Sequence, residues 1–518
     1  PHVPSTSSAE AEHPAPAPRR RRTAVVGGAS VLAGLALLAA ACGGPPSSGN
    51  GGGGQVADNS SAATASKLPT CPLDALAKAE AKGPVKVNLW YGGLAADTQA
   101  TMEQEVKEFN ASQKKIVLTA NNQGSSYGEV LNKYEGASAT PKQLPGAIYL
   151  EDVDLGEMVN RGQVLPAESC MKADHYDETQ IQASARSSYS VNGVLWPGYM
   201  NISTPVLYYN KVHFQKAGLD PADPPGTLEE VYQDALKIKK AGVAPKPFVL
   251  SIKRWFFETW LDGIGDPIVN NGNGHDKPAT KATFDTPAAR KMMDLFVKMK
   301  KDGVINLYPD TAGSIDHYLA LISKPPQSSM LMETSSASTT IRSVLQGTVT
   351  AAEISSAKID TSGLDTGGII PGTAPFPGID APGKIHPSGG AFYILNTDSP
   401  AQQAASWEFM KFMLQPKQGA EWHLNGAYLP AVKSVADRAD IQKFWNTDLA
   451  GALLKPSYDQ FVAADPDQPG PLIGPYQDFT AIIEKAMDNI LLNDAPVDST
   501  LQSAQDQATK LLQDYNGN

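Results

Sequence analysis

The chain has 518 residues and carries 43 Lys and Arg against 54 Asp and Glu, a net charge of −11. That acidity, with no basic tract beyond Arg19 to Arg22, excludes a nucleic-acid surface, whose phosphates demand clustered cations. The length exceeds what one hydrophobic core organises, so two or more lobes are expected.

In chain order, the first feature is the basic run Arg19 to Arg22, an apolar stretch from Ala24 to Ala41, and Cys42 before a Gly/Pro/Ser tract. The pattern resembles the export and lipidation signal of bacterial lipoproteins. Ala40 and Ala41 fit it, while Leu38 sits one place early and Ala39 takes the leucine position. A single membrane span is the alternative, although Gly27, Gly28, Ser30 and Gly34 dilute a run already short of the ~20 residues needed. The arginines also suit twin-arginine export, and residues 1–18, with Glu10 and Glu12, have no assigned role. Residues 1–42 are therefore expected to be a signal peptide with Cys42 as lipid acceptor, placing the rest at the extracellular face of the membrane. The following segment, 43–84, opens with Gly, Ser, Ala and Asn and lacks the apolar surface to offset chain entropy. It is expected to be a flexible tether, whose first ~25 residues have a mean reach of roughly 25–30 Å.

Cys71 and Cys170 remain as one pair. In an oxidising compartment a pair without metal-type spacing reads as a disulfide, two separate buried thiols being the alternative.

The folded part begins with the alternating stretch Val85 to Tyr91, predicted as a strand, then a helix over 97–110. A second strand follows at Ile116 to Ala120, a second helix around Tyr127 to Tyr134, and a buried strand at Ala147 to Leu150. Strand and helix alternating in this way predict a parallel sheet with helices on its faces. Ligands in such sheets sit at the carboxyl ends of the strands, here Trp90 and Tyr91, Gly124 to Tyr127, and Glu151 with Asp152. Farther on, Thr227 and Glu230 have the spacing of a capping box, which predicts a helix start.

The stretch from Asn192 through Trp196-Pro197 and Leu207-Tyr208-Tyr209-Asn210-Lys211 to Ala217-Gly218-Leu219-Asp220 resembles the family 1 extracellular solute-binding proteins of ABC importers. So do Ser388 to Leu395, the segment Ala404 to Phe412, and Ala420 to Pro430, the last being similar to the glycerol-3-phosphate-binding branch. The resemblance spans nearly everything from residue 85 onward. It implies an α/β fold of two discontinuous lobes joined by a hinge: 85–203 plus 388–432, and 206–386 plus 433–518. It also implies a monomer that captures a small solute in the interlobe cleft and delivers it to ABC permease subunits.

Matched to that branch, Tyr127, Glu151, Ser203, Ser335 or Ser336, Gly389 or Gly390, and Tyr428 fall at ligand positions. Trp90, Tyr91, Trp196, Trp255 and Tyr476 are candidate stacking rings, with Trp90 and Trp255 equally readable as packing residues. Two departures stand out: Leu228 where the branch has Trp, and Thr480 where it has an Arg for phosphate. A phosphate without a guanidinium lacks its bidentate partner, so a neutral sugar or oligosaccharide is favoured over glycerol 3-phosphate or a glycerophosphodiester. No cofactor and no resident metal are expected, and no His-Glu-x-x-His, Gly-x-Ser-x-Gly or phosphate-loop motif is present. An exported carbohydrate hydrolase built on Glu151, Asp152 and Asp154 is the enzyme alternative, but neighbouring residues on an extended segment diverge rather than face each other across a sugar. A ligand-sensing lipoprotein is a third class, because fold does not fix function.

Overall fold

A computed structural model describes residues 64, 66–311, 316–346 and 369–517. Cys42, the signal segment and residues 43–63 lie outside the described residues. The rest of the expected tether is not all linker: Cys71 and Leu76, the latter on the helix Leu73–Glu80, are buried in the first core, because this stretch has the apolar side chains that the Gly/Ser tract lacks. Among those described, no helix is long and apolar enough to cross a membrane.

Among the described residues the chain forms thirteen strands. The first sheet contains β1 (Val85–Tyr91), β2 (Ile116–Asn122), β3 (Ala147–Glu151) and β4 (Val164–Leu165). A small hairpin, β5 (Ser190–Val191) with β6 (Val194–Leu195), precedes β7 (Tyr199–Met200). The second sheet contains β8 (Pro205–Asn210), β9 (Phe248–Ile252), β10 (Ile305–Pro309), β11 (Met330–Thr334) and β12 (Pro371–Pro375). Then β13 (Gly390–Leu395) returns to the first sheet.

The first sheet runs β2-β1-β3-β13-β4, with β7 also on β13. Its β1 pairs are parallel, as the alternation predicted, but β13 lies antiparallel to β3, β4 and β7, so the sheet is mixed. The second runs β10-β9-β11-β8-β12, again with a parallel half and an antiparallel half at β8. Both sheets are sandwiched by helices, and each centres its own core of Val, Leu, Ile, Met and aromatic side chains. Central strands such as β8 and β9 are buried along their whole length, as expected of strands covered on both faces.

Local chemistry sets several boundaries. The helix Leu228–Lys240 starts with Thr227 Oγ1 accepting from Glu230 N and the Glu230 carboxylate accepting from Thr227 N, so two orphan donors are satisfied. The helix Tyr127–Ser138 is capped by Ser126, which accepts from Glu129 N and fixes the turn that carries Tyr127. Cys71 and Cys170 form a disulfide with Cα atoms 4.9 Å apart, tying the start of the helix Leu73–Glu80 to the helix Ala167–Ala173.

Three stretches lie side by side where the sheets meet. Ser203 and Ser388 exchange backbone hydrogen bonds of 2.8 and 3.1 Å, and Leu429 N donates to Ile202 O at 2.7 Å. Gly389 is required there: its φ is +147°, and a Cβ would stand 2.1 Å from Asn201 O. After this point the helices Lys433–Ala436 and Ala439–Thr447 still bury Val435, Ile441, Phe444 and Trp445 in the first core, whereas the helices Tyr476–Leu491 and Val497–Tyr515 belong to the second.

Candidate functional site

The two sheets turn the carboxyl ends of their parallel strands toward one cavity of about 540 Å³. That lies within the ~300–1,000 Å³ of small-molecule sites. Gly93 follows β1, Ser125 and Ser126 follow β2, and Glu151 ends β3; opposite them, Lys253 follows β9, Asp310 follows β10 and Thr334 ends β11. This is the position the open-sheet rule assigns to ligands.

One wall is a chain of neutral hydroxyls. Tyr127 Oη and Tyr149 Oη are 3.2 Å apart, and Asn201 Nδ2 donates to Tyr149 Oη at 2.5 Å. Ser203 Oγ donates to Ser388 O, and Tyr428 is anchored through its carbonyl to His423 and stacks on Trp422. Burial raises the Tyr127 and Tyr428 hydroxyls, so both remain protonated donors. Glu151 is the exception in this wall; burial raises its carboxyl while Arg254 opposes the rise.

The other wall is dense in charge. Lys253 Nζ reaches Glu333 Oε1 at 2.6 Å, and His317 Nε2 meets Glu333 Oε2 at 2.7 Å. Burial would raise Glu333, but the Lys253 charge and the His317 contact overcome it and hold the carboxyl down at about 2. Arg254 spans Glu151 and Glu484, each at 3.5 Å, and lies 5.5 Å over the Tyr476 ring. Beside it Trp255 lines the cavity, and its buried indole N–H has no partner among the described residues. Tyr476 spends its hydroxyl on both oxygens of Glu258, at 2.8 Å each. Both cations of the wall therefore meet carboxylates.

Of the residues singled out in the sequence, Tyr127, Glu151, Ser203, Trp255, Ser336, Gly389, Tyr428 and Tyr476 line this cavity. Trp90, Tyr91, Ser335 and Gly390 do not. Tyr91 continues the inward parity of Val85, Val87 and Leu89 and is buried, with its hydroxyl toward Glu103 at 3.4 Å. Trp90, on the opposite face of β1, packs against the first core, where Trp196 is also buried. Ser335 is buried behind the wall and accepts from Thr204 N, and a Cβ at Gly390 would collide with Tyr149 Oη. Leu228 and Thr480 are wholly buried, the Thr480 hydroxyl donating to Tyr476 O within its helix. An arginine position there has no counterpart, and Lys253 and Arg254 are the cations of the cavity. They went unnoticed in the sequence although they directly follow the buried run Phe248–Ile252, which is the available signal.

The acidic trio separates. Glu151 lines the cavity, Asp152 Oδ1 accepts from Ser388 Oγ and Gly389 N, and Asp154 Oδ1 accepts from Gln477 Nε2 at 2.8 Å. Burial, with the Glu151 charge added, pushes Asp152 up to about 8 and Asp154 to about 7. Asp152 and Asp154 thus serve the junction of the sheets, and of the trio only Glu151 lines the cavity.

Comparison with known proteins agrees with this geometry. The family described as bacterial extracellular solute-binding protein matches residues 104–449. The sn-glycerol-3-phosphate-binding periplasmic protein UgpB of Brucella abortus is 25% identical over 364 residues, covering 69% of this chain and 77% of its own. The cyclic alpha-maltosyl-1,6-maltose binding protein of Arthrobacter globiformis has a similar fold, with a TM-score of 0.63 at 20% identity, covering 83% of this chain and all of its own. UgpB of Mycobacterium tuberculosis in complex with glycerophosphocholine also has a TM-score of 0.63, at 18% identity, over 83% of this chain and 98% of its own. The two-lobed α/β architecture, the cavity between its sheets and the family match together make this chain a member of the bacterial extracellular solute-binding proteins.

Proposed function

We propose that the chain is the receptor of an ABC importer, binding a neutral carbohydrate reversibly and without chemistry in the cavity between its sheets and delivering it to permease subunits. The observation that carries this reading is the pairing of both cations of the cavity with carboxylates. Lys253 is matched by Glu333, and Arg254 by Glu151 and Glu484, so an anionic guest would need to break existing pairs. A neutral polyol needs only fixed donors and acceptors with aromatic faces for its C–H surfaces, and Tyr127, Ser203, Ser336, Tyr428 and the Trp255 indole supply them.

The side-by-side stretches at 202–203, 388 and 429 serve in this reading as the hinge, with the lobes changing near those residues. Closing the cavity buries the guest on both sides and couples occupancy to a shape that a permease can recognise. Lipidation at Cys42 would hold the receptor beside its transporter; Cys42→Ser should release the protein from membranes into the medium. Retention of that variant on membranes would remove the lipid anchor from the account.

A glycerophosphodiester is the second reading. Arg254 holds its carboxylates only at 3.5 Å, loosely enough for a phosphate to compete, and relatives carry glycerol-3-phosphate-binding names. A thermal-shift screen of neutral oligosaccharides, polyols, glycerol phosphates and glycerophosphodiesters separates the two, since one-site binding at 100 times Kd adds about 2.7 kcal/mol. Consumption of a sugar during the assay would overturn the receptor reading itself.

A further inference from the structure

Away from the cavity, the helices Ala96–Ser112 and Pro416–Gly426 bring Glu105, Glu108 and Glu421 together, one carboxylate oxygen of each within 4.8 Å of the others. Glu105 distinguishes this group from an ordinary acidic patch. Its side chain is fully buried at 0% exposure, and neither oxygen has a hydrogen-bond donor among the described residues. Lys417 bridges Glu108 at 2.7 Å and Glu421 at 2.6 Å but does not serve Glu105.

We propose that Glu105, Glu108 and Glu421 form a site for a hard divalent cation of calcium size. All three donors are carboxylate oxygens, which suit such an ion and not a soft one. Oxygens on opposite sides of calcium, bound at about 2.3–2.6 Å, stand roughly 4.6–5.2 Å apart, which accommodates this group. Three carboxylates and the Lys417 ammonium sum to two negative charges, which one divalent ion neutralises. Glu108 and Glu421 are only half-buried and open a path from solvent. The Lys417 side chain, 53% exposed, has a flexible stem that lets its ammonium withdraw as the ion enters. The ion would join helices whose contacting residues Glu108 and Lys417 are 309 positions apart, clamping the first lobe independently of the solute.

Calorimetric titration of the metal-free full chain with calcium chloride at mildly alkaline pH tests the site. The expected result is one-to-one binding with Kd about 10⁻⁴ to 10⁻³ M, the range of extracellular calcium sites, and weaker binding of magnesium. Glu421→Gln and Glu105→Gln should each weaken calcium at least tenfold, whereas Trp255→Ala should leave it unchanged. Glu105→Gln is a near-isosteric change, and circular dichroism without calcium checks that the variant keeps the parent fold. Absence of calcium binding in the parent chain, or undiminished affinity in either glutamine variant, would overturn the proposal.

Discussion

The two walls of the cavity solve the same problem with different chemistry. The first sheet presents neutral tyrosines and serines tied into a hydrogen-bond chain, and its lobe is stapled by Cys71–Cys170. The second presents lysine, arginine and histidine, each facing a carboxylate. Neutral networks hold their geometry at any ordinary pH, whereas paired charges hold theirs only while both partners are ionised. The first wall is therefore a fixed template, and the second holds its cations in ion pairs.

Removing the staple should break the comparison most severely. With a sequence separation of 99 between the cysteines, Cys71→Ser/Cys170→Ser is expected to cost about 2–5 kcal/mol, read as a lower denaturation midpoint. Next, Glu333→Gln leaves Lys253 without its partner in the second wall and should cost about 3 kcal/mol at neutral pH. Because the folded carboxyl is depressed from 4.5 to about 2, its stabilisation is complete above 4.5 and is lost as pH falls through 2. Denaturation curves of parent and variant should therefore converge toward pH 2.

In the cavity, Trp255→Ala and Tyr428→Ala should each weaken solute binding about 10- to 100-fold with the fold retained, as measured by calorimetry. Asp152 tests the junction. Its carboxyl is raised from 3.8 to about 8, so the stabilisation that comes with its proton is complete below 3.8 and is lost as pH rises to 8. Asp152→Asn keeps an acceptor for Ser388 and Gly389 without that titration, and should gain about 1–2 kcal/mol relative to the parent between pH 4 and pH 8. The smallest effect, about tenfold on a neutral sugar, is expected for Glu151→Gln; by freeing Arg254 it should shift relative affinity toward phosphodiesters.

Much of the fold was legible because local rules act over short spans. The alternation from Val85 to Tyr91 and the box at Thr227 and Glu230 both appear as predicted. The antiparallel return of β13 depends on pairing with β3 across more than 200 residues, which no local pattern encodes. Tyr127 and Glu151, marked in the sequence by turns after strand ends, line the cavity. Tyr91 was misplaced because strand parity turns it into the core. Arg254 was missed because the expected cation was sought at Thr480, a position buried inside a helix.

The most direct measurement is calorimetric titration of the full chain with neutral oligosaccharides and with glycerophosphodiesters, in parallel with Glu151→Gln. The account predicts saturable one-site binding of a neutral sugar by the parent chain and none of the phosphodiester. Binding of phosphorylated compounds alone by the parent would contradict it, because Arg254 would then be free for phosphate despite Glu151 and Glu484.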